Sequence, residues 1–200
     1  MATTSSGYGL KPIGLIGGQP YAGSTRAIPI TSAYDTNIYN GSIVSIVANG
    51  TLEIVTTNGD NSTVFPAGTI GVFMGCQYED SDGQLVNRQY FPANTVATNA
   101  VGFVIDDPRV VFRAQASGAV TAVDLGQNTH LAAVQSTSTG STLSGNSNTQ
   151  IDHVTNTTNT WAFRIVGFTE DAQNTVGDAY TDCQIIFNPG QHSYTNGTGI

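Results

Sequence analysis

Lysine is nearly missing from this chain. The 200 residues include one lysine and five arginines against 14 Asp and Glu residues, which gives a net charge of −8. Proteins that bind nucleic acids neutralise phosphates with clustered Lys and Arg side chains. A chain this poor in basic residues has almost no surface for phosphate backbones, so we expect no nucleic-acid partner.

Long apolar runs are also missing. No run approaches the ~18 apolar residues that a membrane-spanning helix needs. The N-terminal sequence MATTSSGYGLKP has no basic stretch followed by an apolar one, which is the pattern of an export signal. We therefore expect no membrane partner and no export by the general secretory route.

Signatures of reactive chemistry are absent as well. The two cysteines, Cys76 and Cys183, lie in separate apolar runs without metal-binding spacing. We interpret them as buried thiols, with a disulfide as the less favoured alternative. The three histidines have no metal-ligand spacing, and no phosphate-binding loop or nucleophile elbow occurs. The acidic run Glu79–Gly83 lacks the ligand order of a calcium loop and is interpreted as a solvated hairpin loop. The sequence thus predicts no catalytic residue, cofactor, metal or small-molecule substrate, and a protein that is not an enzyme.

Small polar residues and short apolar runs make up the chain instead. Gly, Ser, Thr and Asn fill 81 positions, and apolar residues reach 39%. The clearest local pattern is a hairpin, in which residues 42–47 and 51–56 alternate around Asn49-Gly50, a pair suited to the positive φ of a tight turn. No window of eleven residues shows a helical apolar stripe, although residues 130–135 fit a short helical turn.

About nine strands are expected, because further β-like runs are separated by Gly, Asn or Pro punctuation. These runs cover residues 69–74, 85–91, 101–105, 109–115, 119–123, 161–166 and 179–187. The sequence predicts an all-β fold, either a β-sandwich or a barrel of the jelly-roll type.

The charge distribution divides the chain in two. Residues 1–34 carry only Lys11 and Arg26 and are predicted to form an extended N-terminal arm, or else a flexible terminus. Residues 35–200 are predicted to form a single β-rich body. Within the body, residues 136–160 are a polar tract of low complexity, which is either an exposed excursion or a contact loop for a neighbouring subunit.

Four passages together give the chain a family resemblance. They are residues 5–26, 66–93, 106–118 and 176–200, with sequences such as GYGLKPIGLIGGQP, PAGTIGVFMGCQYED, DDPRVVFRAQASG and TDCQIIFNPGQHSY. These four passages resemble sequences of capsid decoration, or cement, proteins of tailed bacteriophages that infect marine and freshwater bacteria. A second likeness, to small head-stabilising barrels, rests on residues 40–44, 71–74 and 110–118.

The resemblance implies a virion structural protein on the outer surface of the mature icosahedral capsid, assembled in the host cytoplasm. Its partners would be the major capsid protein and further copies of itself, often as a homotrimer, with an arm reaching across adjoining capsid subunits. No catalytic residue is implied. On this hypothesis the arm is anchored by Tyr8, Leu10, Lys11, Ile13 and Arg26, and deleting residues 1–30 is expected to leave a folded body that no longer coats heads.

Two other functions are considered. The first is a carbohydrate-binding or polysaccharide-cleaving β-sandwich of a phage tail or cell surface. A single Trp and the lack of an aromatic row count against it, because sugar platforms usually expose aromatic rings. The second is a bacterial surface or pilus module, which ordinarily needs an export signal.

Overall fold

Two antiparallel sheets pack against each other as a β-sandwich in the computed structural model, which describes residues 4–200. The all-β prediction is therefore confirmed, with a sandwich as its form. The eleven strands of the described residues are β1 (Lys11–Leu15), β2 (Arg26–Pro29), β3 (Ile43–Ile46), β4 (Leu52–Ile54), β5 (Thr69–Glu79), β6 (Leu85–Arg88), β7 (Thr98–Ile105), β8 (Val110–Gln115), β9 (Asn128–Thr129), β10 (Phe163–Phe168) and β11 (Asp182–Phe187).

The first sheet, sheet A, has the strand order β1-β8-β11-β10-β9. Sheet B has the order β2-β7-β5-β3-β4, with β6 paired to the far end of β5. The chain passes from sheet B to sheet A between β7 and β8, through the turn Asp106-Asp107-Pro108. Proline there favours an extended residue before it, and the Val110 N–H closes the turn onto the Asp107 carbonyl at 3.1 Å.

Sheet B is buried on both faces, and this explains its near-continuous apolar strands. Along β5, Val72 belongs to the core between the two sheets, whereas the next residue, Phe73, belongs to a second core on the far side of sheet B. β3 divides in the same way, with Ile43 in the first core and Val44 in the second. A strand that is covered on both faces has no polar side, so simple alternation is lost.

The N-terminal segment joins both sheets. β1 pairs with β8 at the edge of sheet A, and β2 pairs with β7 at the edge of sheet B. Leu10 is fully buried in the core between the sheets. The predicted extended arm is therefore not confirmed for residues 4–34, and residues 1–3 of that prediction lie outside the described residues. Removing residues 1–30 would take an edge strand from each sheet.

The polar tract, residues 136–160, lies largely on the body. Ser147, Thr149 and Ile151 are buried, and Ile151 forms bridges to Ala116 and Leu131. Its longest exposed run is the tip, residues 141–144, and residues 137–138, 153–154 and 156–157 are exposed as well. The backbone of the tract attaches it to the sandwich, since the Ser147 N–H donates to the Asn40 carbonyl at 2.9 Å and the Ile151 N–H to the Gln115 carbonyl at 3.0 Å.

The predicted hairpin is confirmed as β3 and β4, with Ile46 opposite Leu52. Gly50 turns the chain with a φ of 80°, and its N–H donates to the Val47 carbonyl at 2.8 Å. The acidic run is confirmed as the loop between β5 and β6, where the Asp80 carboxylate accepts the N–H groups of Asp82 and Gln84.

Two local predictions are wrong. Residues 119–123 do not form a strand, because the Asp124 carboxylate accepts both the Thr121 N–H and its hydroxyl and caps a 3-10 helix, Ala122–Asp124. Residues 130–135 do not form a helical turn. Leu131 bridges to Ile151 instead, and Gln135 extends its amide into the core.

Both cysteines are buried and free, as predicted. Burial raises the pKa of each thiol to about 12. The nucleophilic thiolate is thus strongly disfavoured at neutral pH.

Candidate functional site

The five residues predicted to anchor the arm all lie near the sheet edges. Tyr8 stands above sheet A, where its hydroxyl donates to Asp182 Oδ1 at 2.9 Å and its ring lies 5.9 Å from the Arg113 guanidinium carbon. Burial, followed by the charge of Asp182, raises the pKa of Tyr8. Leu10 is in the core. These two side chains hold the N-terminal segment to its own sandwich.

Lys11 and Arg26 are likewise engaged within the chain. The Lys11 ammonium donates to Asn40 Oδ1 at 2.9 Å and to Asn146 Oδ1 at 3.1 Å. Burial lowers the pKa of Lys11. Arg26 pairs with Asp106 at 2.9 Å.

Ile13 and Arg26 are the two of the five that are exposed, and Ile13 exposes 45% of its surface on the edge strand β1. Ile16, just beyond β1, is 50% exposed. A capsid interface at these residues stays a prediction.

The segment around these two isoleucines forms a continuous surface that we call the β1 surface, made of residues 13–22, with the buried Val110 and Val111 beneath its clefts. It contains two shallow clefts of about 290 and 280 Å³. Leu15, Gln19 and Pro20 line both clefts, so the two adjoin. A tight turn supports this shape, because the Leu15 N–H donates to the Gln19 carbonyl at 2.8 Å.

The only charged residues lining these clefts are Asp106 and Asp107, and both are compensated. Asp106 accepts Arg26 and also the Tyr194 hydroxyl, the latter at 2.8 Å. Asp107 pairs with Arg109 at 3.3 Å, and hydrogen bonds from Arg109 lower the pKa of its carboxyl. The β1 surface therefore exposes isoleucine side chains beside polar groups such as Gln19 and is close to electrically neutral, although the chain as a whole carries −8.

Sequence reasoning missed the C-terminal contribution to this region. Tyr194 lies under the Arg26 guanidinium, 5.5 Å from carbon to ring centre, and His192 is buried against Phe187. The tail TNGTGI has no periodic pattern, and nothing in its composition indicates that residues just before it pack beside Asp106. The one sequence feature that could have indicated this packing is the pair of aromatic side chains, His192 and Tyr194, close to the glycine-rich tail.

Ser117, which follows β8, meets Asp152 and His153 of the polar tract, but the three do not form a proton relay. Ser117 Oγ and Asp152 Oδ1 lie 3.1 and 3.3 Å from the same ring nitrogen, Nδ1 of His153. A relay needs the nucleophile on one ring nitrogen and the acid on the other. Ser117 Oγ also accepts the His153 backbone N–H, so the contact joins the polar tract to the segment after β8.

Clusters of metal-ligating side chains and the tryptophan ring also bear on chemistry. In residues 4–200, no three His, Cys, Asp or Glu side chains come together in a way that would hold a metal ion. The single tryptophan, Trp161, is only partly exposed; its Nε1 is buried, and its ring packs edge-on against His130 at 4.7 Å between centres.

Comparisons with known proteins give no match: no family model, no curated protein and no solved structure aligns with this chain. Among the described residues, no helix has the length and apolar character to cross a membrane.

Proposed function

We propose that this chain is a virion structural protein that binds the outer surface of a mature bacteriophage capsid and stabilises it as a cement or decoration protein. The observation that carries the proposal is the β1 surface, where Ile13 and Ile16 stand exposed beside two clefts whose charges are internally paired. Exposed apolar surface of this kind is typical of protein contacts.

The composition supports the same role. A surface rich in Ser, Thr and Asn and poor in Lys loses little side-chain entropy when it is covered by a neighbour. Weak contacts become effective when many copies bind one lattice and each copy engages more than one point. A protein that binds only the mature lattice stabilises that lattice by mass action.

Self-association into a homotrimer and contact with the major capsid protein belong to this proposal. The β1 surface supports contact with another protein through its exposed isoleucine side chains and its lack of net charge. The edge position of β1 supports it further, because an edge strand presents backbone groups that a neighbouring chain can pair with.

Cosedimentation with purified heads tests the proposal. The double variant Ile13→Asp/Ile16→Asp places charge on the β1 surface without touching the core, because both side chains are about half exposed. We expect its affinity for heads to fall at least about tenfold, which corresponds to about 1.4 kcal/mol.

A matched control is Val134→Asp, which charges a side chain of similar exposure, 51%, that lies outside the β1 surface. It should bind heads like the wild type, and all variants should melt at similar temperatures. Equal binding by the double variant and the wild type would refute the role of the β1 surface.

A further inference from the structure

A third cleft, apart from the two on the β1 surface, lies between the end of β6 and the tip of the polar tract. Its volume is about 330 Å³, and its walls are residues 88–90 on one side and residues 142–145 on the other. This size falls at the lower end of small-ligand sites, which span roughly 300 to 1,000 Å³. We call it the Arg88 cleft.

Arg88 is unusual among the cations of this chain. Arg26, Arg109 and Arg113 each pair with an aspartate. Arg88 is exposed on β6, and within residues 4–200 its guanidinium has neither an ion pair nor a hydrogen bond. An exposed guanidinium that the fold does not use is available to a ligand.

A second cation stands behind the same wall. Gln89 Nε2 donates to Asn146 Oδ1 at 2.9 Å, and the Lys11 ammonium donates to that same oxygen at 3.1 Å. Lys11 contacts only amide oxygens there, and no acidic residue lines the cleft. In a chain of net charge −8, this corner is therefore locally positive.

The uncharged residues that line the cleft offer an aromatic ring, hydroxyl groups and an amide, which are groups that suit a sugar. The Tyr90 ring lines the cleft and is held by stacking on buried Tyr39, with ring centres 5.5 Å apart and planes 21° apart. Thr142 and Ser144 add hydroxyls at the exposed tip, and between them Leu143 is 97% exposed. A fixed aromatic ring can pack against the C–H face of a sugar, while hydroxyls and the Gln89 amide match its hydroxyl groups.

We propose that the Arg88 cleft binds a carboxylate-bearing saccharide, a hexuronate unit of an acidic polysaccharide. Arg88 takes the carboxylate through two parallel N–H···O bonds, the geometry that suits a guanidinium. Tyr90 packs under the ring, and Gln89, Thr142 and Ser144 bind hydroxyls. This activity is separate from capsid binding and uses different residues.

Titration with oligogalacturonate, followed by calorimetry and by backbone amide shifts, tests this inference on the full chain. The matched ligand is the methyl ester of the same oligosaccharide, which keeps the ring and removes the charge. We expect binding of the acid form, with shifts confined to residues 88–90 and 142–146, and at least tenfold weaker binding of the ester.

The matched variants are Arg88→Gln and Arg109→Gln, both at exposed arginines. Arg88→Gln should lose at least tenfold in affinity for oligogalacturonate and still cosediment with heads, whereas Arg109→Gln should bind the saccharide like the wild type. Equal binding of acid and ester, an unaffected Arg88→Gln variant, or displacement by inorganic phosphate at the same concentration as the saccharide would each overturn the assignment.

Discussion

Asp182 is the most buried acidic residue of residues 4–200, and it joins Arg113 and Tyr8 in one group. Asp182 is 6% exposed and accepts both the Arg113 guanidinium and the Tyr8 hydroxyl. Arg113 reaches Asp171 as well. Since a buried carboxylate must be hydrogen-bonded, each donor that contacts it contributes to stability.

Tyr8→Phe removes one of these donors while keeping the ring. We expect a loss of about 1 to 2 kcal/mol in the free energy of unfolding, measured by chemical denaturation. Tyr21→Phe is the control, because the Tyr21 hydroxyl bonds only the exposed Ser24 carbonyl. An equal loss of stability from both substitutions would contradict the claim that the Tyr8 hydroxyl holds the N-terminal segment to Asp182.

The two thiols should be chemically silent in the folded protein. Cys76 is 2% exposed, Cys183 is fully buried, and burial raises both pKa values to about 12. A thiol reagent such as Ellman's reagent is expected to label neither residue at neutral pH, and to label two thiols per chain once the protein is denatured. Rapid labelling of the native chain would show that one cysteine is accessible.

His192 gives the molecule a pH dependence with a definite sign. Burial lowers its pKa from the ordinary value of 6.5, although the Ile70 carbonyl and the charges of Asp106 and Asp107 partly oppose this. The unfolded chain therefore binds a proton more readily than the folded one. This contribution to stability is present above pH 6.5 and is lost as the pH falls below that value.

Denaturation midpoints at about pH 7.5 and 5.5 measure this effect. The wild type should lose more stability over that interval than His192→Gln, which cannot be protonated. Parallel pH profiles for the two proteins would show that His192 is not the titrating group.

Individual residues were predictable from sequence where the environment is set locally. Cys76 and Cys183 sit in apolar runs, and Arg109 lies two residues from its partner Asp107. Gln135 was not predictable, because its amide bonds the Ile43 backbone and the Val55 carbonyl, which lie 92 and 80 residues away. Lys11 was predicted to contact the capsid. Its partners within the chain, Asn40 and Asn146, lie 29 and 135 residues away, and no local pattern indicates them.

At the scale of elements, most strands were predictable and the N-terminal edge strands, β1 and β2, were not. β3, β4, β5, β8 and β11 carry strong β patterns, whereas β1 contains Pro12 and Gly14 and reads as a loop. Proline is acceptable there because β1 is an edge strand, which leaves one row of backbone groups unpaired. The N-terminal segment therefore looked like an arm although it completes both sheets.

β5 depends on a glycine where it crosses β7. Gly71 has a φ of 144°, and a Cβ atom there would lie 1.9 Å from the Ile105 carbonyl oxygen. Gly71→Ala is expected to cost about 3 kcal/mol or more, because rigid backbone blocks the added atom.

Gly50→Ala in the β3–β4 hairpin is the matched comparison. Gly50 also has a positive φ, but a Cβ atom at this position meets nothing within 4 Å. Its cost should be about 1 kcal/mol, from backbone strain alone. Thermal unfolding of both variants checks the order, and a Gly50→Ala variant less stable than Gly71→Ala would contradict this account of the sheet crossing.

At the scale of the whole molecule, the acidic net charge and the neutral β1 surface have complementary effects on association. Acidic residues surplus to ion pairs keep separate copies apart, while a surface without net charge can be covered by a neighbour at little electrostatic cost. Composition made a β-rich protein predictable, and its assembly with neighbours stays a prediction. The position of the proposed contact surface was not predictable, because it depends on Asp106, Arg26 and Tyr194 meeting across the fold.

The most direct measurement of the central claim is the temperature at which mature heads release their DNA, followed with a DNA-binding dye. Heads stripped of this protein would be mixed with increasing amounts of the purified chain. The account predicts that the release temperature rises and then saturates as the lattice fills. A release temperature that does not change at any concentration of the protein would contradict it.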